Sequence, residues 1–339
     1  MASPAHPPTL DDVARAAEVS TATVSRCLND PKMVTKPTRE RVEKAIEALG
    51  YTPNFAARSM AAKRTFTIGA IIPTMENAIF ARGLQAFQEE LHRRRYTLLV
   101  SSSAYQAEIE AEQIKTLVAR GADGLLLIGH DRDPQIYDYL ERQRVPVLVV
   151  WSHDEHARAP SIGFDNRAAM RALTERVIEL GHRRIAMISG RSQGNDRARM
   201  RIAGAREALK AHGINDFARI EVPYDIAAGA AAFTELMETS RPSIVLCGND
   251  VLAVGAMRGA RRMGLKVPED VSITGFDDIE IAQVVSPELT TVQVPHREMG
   301  IKAARELVGM IEEKRAGQSQ ILPADIVERD SVARLAPVE

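Results

Sequence analysis

Cysteine is scarce in this chain. Cys27 and Cys247 are the only two among 339 residues, too few for a disulfide framework or a CxxC metal site. Both read as small buried thiols of a reducing cytoplasm. Long apolar runs are missing as well, none approaching the ~18 residues of a membrane helix. The Pro-rich tail, residues 1–9, has neither the basic nor the apolar region of a secretory signal. No GxGxxG follows a strand, and there is no GxxxxGK[ST] loop, GxSxG elbow or HExxH pair. His153 and His156 sit in a loop with Asp154 and Glu155 and read as a solvated face, not a metal site. No cofactor and no metal is expected, and no tandem repeat of 20–50 residues stands out. Hydrophobic residues make up 45% and charged residues 26%, which excludes collagen-like, mucin-like and largely disordered chains. The length allows two or three domains at roughly 100–200 residues each.

No charge sign dominates, since the net is −1, but the partition is uneven. Residues 1–64 hold 10 Lys/Arg against 7 Asp/Glu, and the remainder holds 34 against 38. A head of +3 on a body of −4 suggests a small anion-binding module joined to something else. Three short helical patterns fill the head. Thr9 caps the first, in which Leu10, Val13, Ala14 and Ala17 share a face behind Asp11 and Asp12. Ser20 caps the second, Thr21 to Leu28, broken by Asn29-Asp30-Pro31. The third starts near Thr38, turns Val42, Ile46 and Leu49 inward, and stops at Gly50. The run Leu10 to Arg26 reads as a helix-turn-helix. Small Ala14 lets two helices cross, Val19 and Val24 fill the angle, and Thr21, Ala22, Ser25 and Arg26 lie on the outer face. Such a helix fits the major groove, where Arg forks onto guanine and a small apolar group meets a thymine methyl.

Residues 53–64 have helix-favouring composition but fall short of the ~12–15 residues at which an isolated helix becomes marginal, so they read as a linker that folds when held. From Thr67 strand-like runs alternate with helical patterns: Ile68–Ile72, Leu98–Ser101, Leu125–Ile128, Val147–Trp151, Ile185–Ile188, Ile244–Cys247 and Val271–Ile273. That alternation predicts an α/β fold of parallel sheets covered by helices. A break near Pro160–Phe164 divides it into two doubly wound lobes.

These motifs together resemble the lactose-repressor (LacI) family of bacterial transcription regulators. The resemblance rests on Leu10–Arg26, Val42–Asn54 and Ala56–Met60 in the head. In the body it rests on Gly181–Ala186, Arg199–Gly204, Asn249-Asp250 with Ala253-Val254-Gly255, and Gly275–Asp278, in family order at family spacing. It implies an N-terminal helix-turn-helix domain over 10–52, a hinge helix over 53–64, and a periplasmic-binding-protein-like core over 65–339. Lobe 1 would span about 65–163 and 295–323, lobe 2 about 164–294 and 324–339. It implies that Thr21, Ala22 and Arg26 face bases and that Thr23 and Ser25 anchor phosphates. Asn54, Ala57 and Met60 would belong to the hinge, with Met60 as the apolar wedge where relatives usually carry Leu. Two departures stand out. Glu18 occupies a turn position where the family commonly has Gly, costing on the order of 1 kcal/mol if φ there is positive. Phe55 stands where a basic residue is frequent.

The resemblance further implies a double-stranded operator as partner, a homodimer, and a small-molecule effector between the lobes. Trp151, Phe164, Arg201, Tyr224, Asn249 and Asp277 align with pocket positions, and Asn77 and Phe80 follow the first strand. An aromatic wall with Arg, Asn and Asp suits a sugar or sugar acid, Arg pairing with its carboxylate, and the overall flavour is that of gluconate-type regulators. No heptad leucine segment follows Val327, so a dimer is expected over a tetramer. Effector binding would change hinge order and hence operator affinity. The rival readings are a sugar-binding protein without a DNA role and a cytoplasmic sugar-modifying enzyme.

Overall fold

A computed structural model describes residues 6–52, 64–76 and 78–335 of the chain. The chain divides into two units, Met1–Thr65 and Phe66–Glu339. In the first, Thr9 opens helix α1 (Leu10–Ala16) with a capping box. Its hydroxyl accepts from the Asp12 N–H, and the Asp12 carboxylate accepts from the Thr9 N–H at 2.9 Å. Ser20 opens α2 (Thr21–Asn29), its hydroxyl accepting from the Thr23 N–H. Helix α3 (Lys36–Leu49) starts slightly ahead of Thr38, with a proline in its first turn, and ends on Gly50 at φ 62°. Between α1 and α2 the turn residue Glu18 has φ 53°, so this position does use the left-handed conformation. The small core of this unit gathers Val13, Ala14, Ala17, Val24, Cys27, Val42, Ala45 and Tyr51, with Val19 and Ile46 partly buried against it. Leu49 does not face inward as its spacing suggests but is 37% exposed. Tyr51, swung back by the left-handed Gly50 with its N–H on the Ile46 carbonyl, covers that end of the core instead.

The second unit alternates strands and helices. It opens with β1 (Thr67–Ile72), α4 (Ala81–Arg93), β2 (Thr97–Ser102), α5 (Ala107–Ala119), β3 (Gly124–Ile128), α6 (Pro134–Gln143), β4 (Val147–Val150) and β5 (Ser161–Gly163). It continues with α7 (Asn166–Glu179), β6 (Ile185–Gly190), α8 (Asp196–Ala211), β7 (Ala218–Val222), α9 (Ile226–Thr239), β8 (Ile244–Cys247), α10 (Asp250–Arg262) and β9 (Ser272–Thr274). It closes with α11 (Ile281–Val284), β10 (Thr291–Gln293), α12 (His296–Glu313), β11 (Gln320–Ile321) and β12 (Asp325–Val327).

Two parallel sheets result. The first runs β2-β1-β3-β4-β5-β11 and the second β7-β6-β8-β9, while β10 pairs antiparallel with β12. Their central strands are buried on both faces, which is why Leu125–Ile128 and Ile244–Cys247 read as unbroken apolar runs. Helix α12 returns to the first sheet and packs on α4, β3 and β4. In each sheet the order reverses between two neighbouring strands, β1 and β3 in the first, β6 and β8 in the second. Ligand crevices in such sheets open beyond the carboxyl ends of the strands at that reversal. Among the described residues no helix is long and apolar enough to cross a membrane.

Candidate nucleic-acid interface and ligand chamber

Helix α2 is two-faced. Val24 is fully buried and Cys27 nearly so, which turns Thr21, Ala22 and Arg26 outward into solvent, with Thr23 and Ser25 at the margin. The Thr23 hydroxyl lies 2.9 Å from that of Ser20, so the N-cap holds its rotamer. The first turn of α2 presents backbone N–H groups and hydroxyls, a combination that takes phosphate oxygens, and Arg26 one turn later supplies a fork for a base edge. Asn54, Ala57 and Met60, together with Phe55, lie outside the described residues.

The second unit holds a chamber where strand ends from the two sheets face each other. It is tight, with about 20 Å³ of free space, and is lined by Phe80, Trp151, Arg201, Tyr224, Asn249 and Asp277, all read from the sequence, and by Ile79, Tyr105, Asn195 and Arg197, which were not. Asn77 lies outside the described residues. Trp151 directly follows β4 with φ 63°, its ring 5.2 Å edge-on to Phe80. Asn249 directly follows β8 and caps α10, its Oδ1 accepting from the Leu252 N–H at 2.9 Å. Asp277 lies beyond β9 with φ 105°. Backbone strain of this kind gathers at ligand clamps, and here it marks three of the lining residues, Tyr105 at φ 57° being the third.

Arg201 organises the chamber floor from α8. Its Nε donates to Asn166 Oδ1 at 2.8 Å, one Nη to the Gly248 carbonyl at 2.6 Å, and the other to Asp277 Oδ1 at 3.3 Å. The guanidinium lies 3.7 Å over the Phe276 ring. Asn166 in turn donates to the Trp151 carbonyl at 3.0 Å, so one amide ties the floor to the opposite wall. Phe164 does not line the chamber. It is fully buried behind it, 6.0 Å from Phe276, and backs the ring on which Arg201 rests. Asp277 Oδ2, Asn249 Nδ2 and Trp151 Nε1 are buried without a hydrogen-bond partner among the described residues. Burial pushes the Asp277 carboxyl above its ordinary range, with Arg201 and His296 offsetting only part of the rise. Beside it, burial and then the Asp277 charge raise Asp250 to about 8. An acceptor, two donors and a stacked guanidinium around aromatic rings can hold a hydroxylated ring or chain.

Of the residues missed from the sequence, Ile79 lies just before α4, Tyr105 in a turn after β2, and Asn195 and Arg197 at the start of α8. Asn195 caps α8, and Asp196 and Arg197 follow. Asp196 Oδ1 accepts from Arg197 Nη1, and Oδ2 from the His130 N–H of the first-sheet lobe, both at 2.8 Å. Burial would raise the Asp196 carboxyl, but Arg197, the His130 amide and the Ser152 hydroxyl together hold it below its ordinary value. Gly129, at φ 69°, permits this approach, since a Cβ there would collide with Arg197 and Asp196. Arg199 pairs with Asp131, and Arg82 with Glu280 at 2.7 Å, so the lobes are latched on two sides. One sequence signal was available. The Asn-Asp pair opening α8 repeats the Asn249-Asp250 pair that opens α10.

Residues 9–54 match the family model described as bacterial regulatory proteins, lacI family, and residues 174–332 match a periplasmic binding protein-like domain. Catabolite control protein A of Priestia megaterium is 31% identical over 95% of this chain and 98% of its own length. The HTH-type transcriptional repressor CytR of Escherichia coli (strain K12) is 33% identical over 96% and 97%. A solved lac repressor dimer, bound to operator and the anti-inducer ONPF, superposes with a TM-score of 0.85 at 29% identity, covering 97% of this chain and all of that one.

Proposed function

From the membership of this chain in the lacI family of bacterial regulatory proteins, we infer a ligand-responsive repressor that binds a pseudo-palindromic operator as a homodimer in the cytoplasm. It is a regulator and not an enzyme, as several of its relatives are named repressors. Thr21, Ala22 and Arg26 read bases, and Thr23 and Ser25 hold phosphates. Asn54, Ala57 and Met60 belong to the connector over 53–64, which couples head to core. The head spans 10–52. The first lobe takes about 65–163 and 295–323, the second about 164–294 and 324–339.

The effector is a sugar acid of the gluconate class or a related sugar. The observation that carries this is the pairing, in one chamber, of orphaned polar atoms on Asp277 and Asn249 with two arginines. A buried polar atom without a partner costs about 1–3 kcal/mol, and a hydroxyl of the effector relieves it. Three of the five N–H groups of Arg201 are used inside the protein, leaving two for a carboxylate. Trp151, Phe80 and Tyr224 cover the carbon skeleton. The test is electrophoretic mobility of duplexes from the chain's own genomic neighbourhood, with and without D-gluconate, other sugar acids and their parent sugars. One duplex should be retarded, and a sugar acid should change the retardation at concentrations where the parent sugar does not. A response to neutral sugars alone would remove the acid from the proposal.

A further inference from the structure

Beyond the chamber the cleft widens into an outer hollow of about 700 Å³, reaching Thr74, Glu76, Arg191 and Asp225. Chamber and hollow share Tyr105, Asn195 and Tyr224, and no other lining residue. The two tyrosines come from opposite lobes, Tyr105 beyond the end of β2 and Tyr224 beyond the end of β7. Their rings meet at 5.8 Å, tilted by 35°. They form the partition between a small space and a large one.

Each ring is held by its backbone. Ala104 and Tyr105 are consecutive left-handed residues, with φ 51° and 57°. The turn they make is pinned to the end of β1, since the Ser103 N–H donates to the Ile72 carbonyl at 2.9 Å and the Tyr105 N–H to the Pro73 carbonyl at 3.2 Å. A tyrosine does not take this conformation without cost, and the pinned turn spends that strain on aiming one ring across the cleft. On the other side Tyr224 lies flat over Gly190, where any Cβ would strike its ring. Its hydroxyl is 3.4 Å from Asn195 Nδ2.

We propose that Tyr105 and Tyr224 are an aromatic gate that shuts the chamber. The proposal rests on reading the chamber as the effector site and adds how access to it is controlled. The space behind the gate is about 20 Å³, room for about one water and far below the roughly 300–1,000 Å³ of small-molecule pockets. An effector must therefore hold the tyrosines apart to enter, against the ion pairs that join the lobes.

Trp151 is the chain's only tryptophan, sits behind the gate and is 2% exposed. It reports access to the chamber without any effector. The experiment is quenching of its fluorescence in the full chain by two neutral quenchers of different size, acrylamide and the ring nitroxide 4-hydroxy-TEMPO. In the wild type both should quench weakly, the nitroxide least. Tyr105→Ala should raise nitroxide quenching several-fold and acrylamide quenching by less, while Tyr105→Phe, which keeps the ring, should change neither. Tyr105 is 38% exposed and belongs to no core cluster, so its truncation opens no core void, and an unchanged thermal melt verifies the fold. Unchanged quenching in a folded Tyr105→Ala overturns the gate. An equal rise for both quenchers also overturns it, because that pattern means general loosening of the lobes. If no sugar acid alters operator binding, the effector reading fails and the quenching result stands apart from it.

Discussion

Two polar surfaces in this chain are built in opposite ways. On α2 the groups proposed to meet DNA are exposed, and the helix uses its buried residues, Val24 and Cys27, to hold itself in place. In the chamber the groups proposed to meet a ligand are themselves buried, and Arg201 bonds Asn166, Gly248 and Asp277 within the protein. A surface of the first kind is screened by salt, adjusts its rotamers on contact, and loses one contact when one residue is removed. A site of the second kind is preorganised, and removing one member leaves its partner buried without compensation. A mutation on α2 should therefore change binding and spare stability, whereas a mutation in the chamber should change both.

The largest expected effect comes from the chamber. Arg201→Ala strands the Asp277 carboxylate, and breaking one side of a buried pair costs about 3–5 kcal/mol. Burial already disfavours the charged form of Asp277 and Arg201 offsets part of that, so the variant loses the offset and leaves the burial cost. Urea unfolding followed through Trp151 measures it. The variant should still retard its operator and should no longer answer to effector. A loss below about 1 kcal/mol would put the pair in the class of solvated ion pairs and collapse the contrast between the two surfaces.

Next comes Arg26→Ala on the exposed face. A forked contact to a base is worth about 1–3 kcal/mol of discrimination. Operator affinity should fall by roughly ten- to a hundredfold at fixed salt, measured by fluorescence anisotropy, with the urea transition of the core unmoved. A shift in that transition would mean that α2 is not the independent surface described.

The same contrast explains what the sequence disclosed. The outer face of α2 was legible because a helix repeats every 3.6 residues, so burying Val24 and Cys27 fixes where Thr21, Ala22 and Arg26 point. Trp151, Asn249 and Asp277 were legible because they stand at or just beyond the ends of apolar runs, where parallel sheets place their ligands. Phe164 also follows a strand, yet it faces the core, and strand ends alone do not say on which side of the crevice a residue falls. Tyr105 carries no periodic signal at all. It reaches the cleft through two left-handed residues, a conformation that neither Ala104 nor Tyr105 announces. Arg197 and Asn195 depend on the approach of α8 to Gly129 across the cleft, a contact between segments far apart in the chain.

The two surfaces also separate by pH. The Asp250 carboxyl accepts from the Thr291 hydroxyl at 2.6 Å and from the Ile279 N–H at 2.8 Å, and burial followed by Asp277 raises its pKa from 3.8 to about 8. The folded state therefore binds this proton more tightly than the unfolded state. The stabilisation is complete below about pH 4 and is lost as pH climbs toward 8, with a slope of at most about 1.4 kcal/mol per pH unit. Urea midpoints of the core should fall between pH 5 and 8, and Asp250→Asn should flatten the trend. A midpoint that rises over this range would show that the two hydrogen bonds keep the carboxylate ionised.

The smallest effect belongs to the head. Glu18 is exposed and holds φ at 53° between α1 and α2. An L-residue in that conformation costs about 1–2 kcal/mol, which glycine does not incur. Glycine brings its own cost of roughly 0.5–1 kcal/mol, because the unfolded chain gains freedom. The first number is the larger, so Glu18→Gly should stabilise the head by about 0.5–1 kcal/mol. Trp151 lies in the core and will not report this. Amide exchange of Ala17 and Val24 in the full chain will, because the Ala17 N–H donates to Val13 and the Val24 N–H to Ser20 on either side of the turn. Their protection should rise by about two- to fivefold. Exchange of the Trp151 amide, which is bonded to Met299 Sδ at 3.4 Å in the core, should stay as it is. Glu18 thus has a stability cost and no buried partner, and relieving it should change how firmly α2 is presented while leaving what α2 reads unaltered.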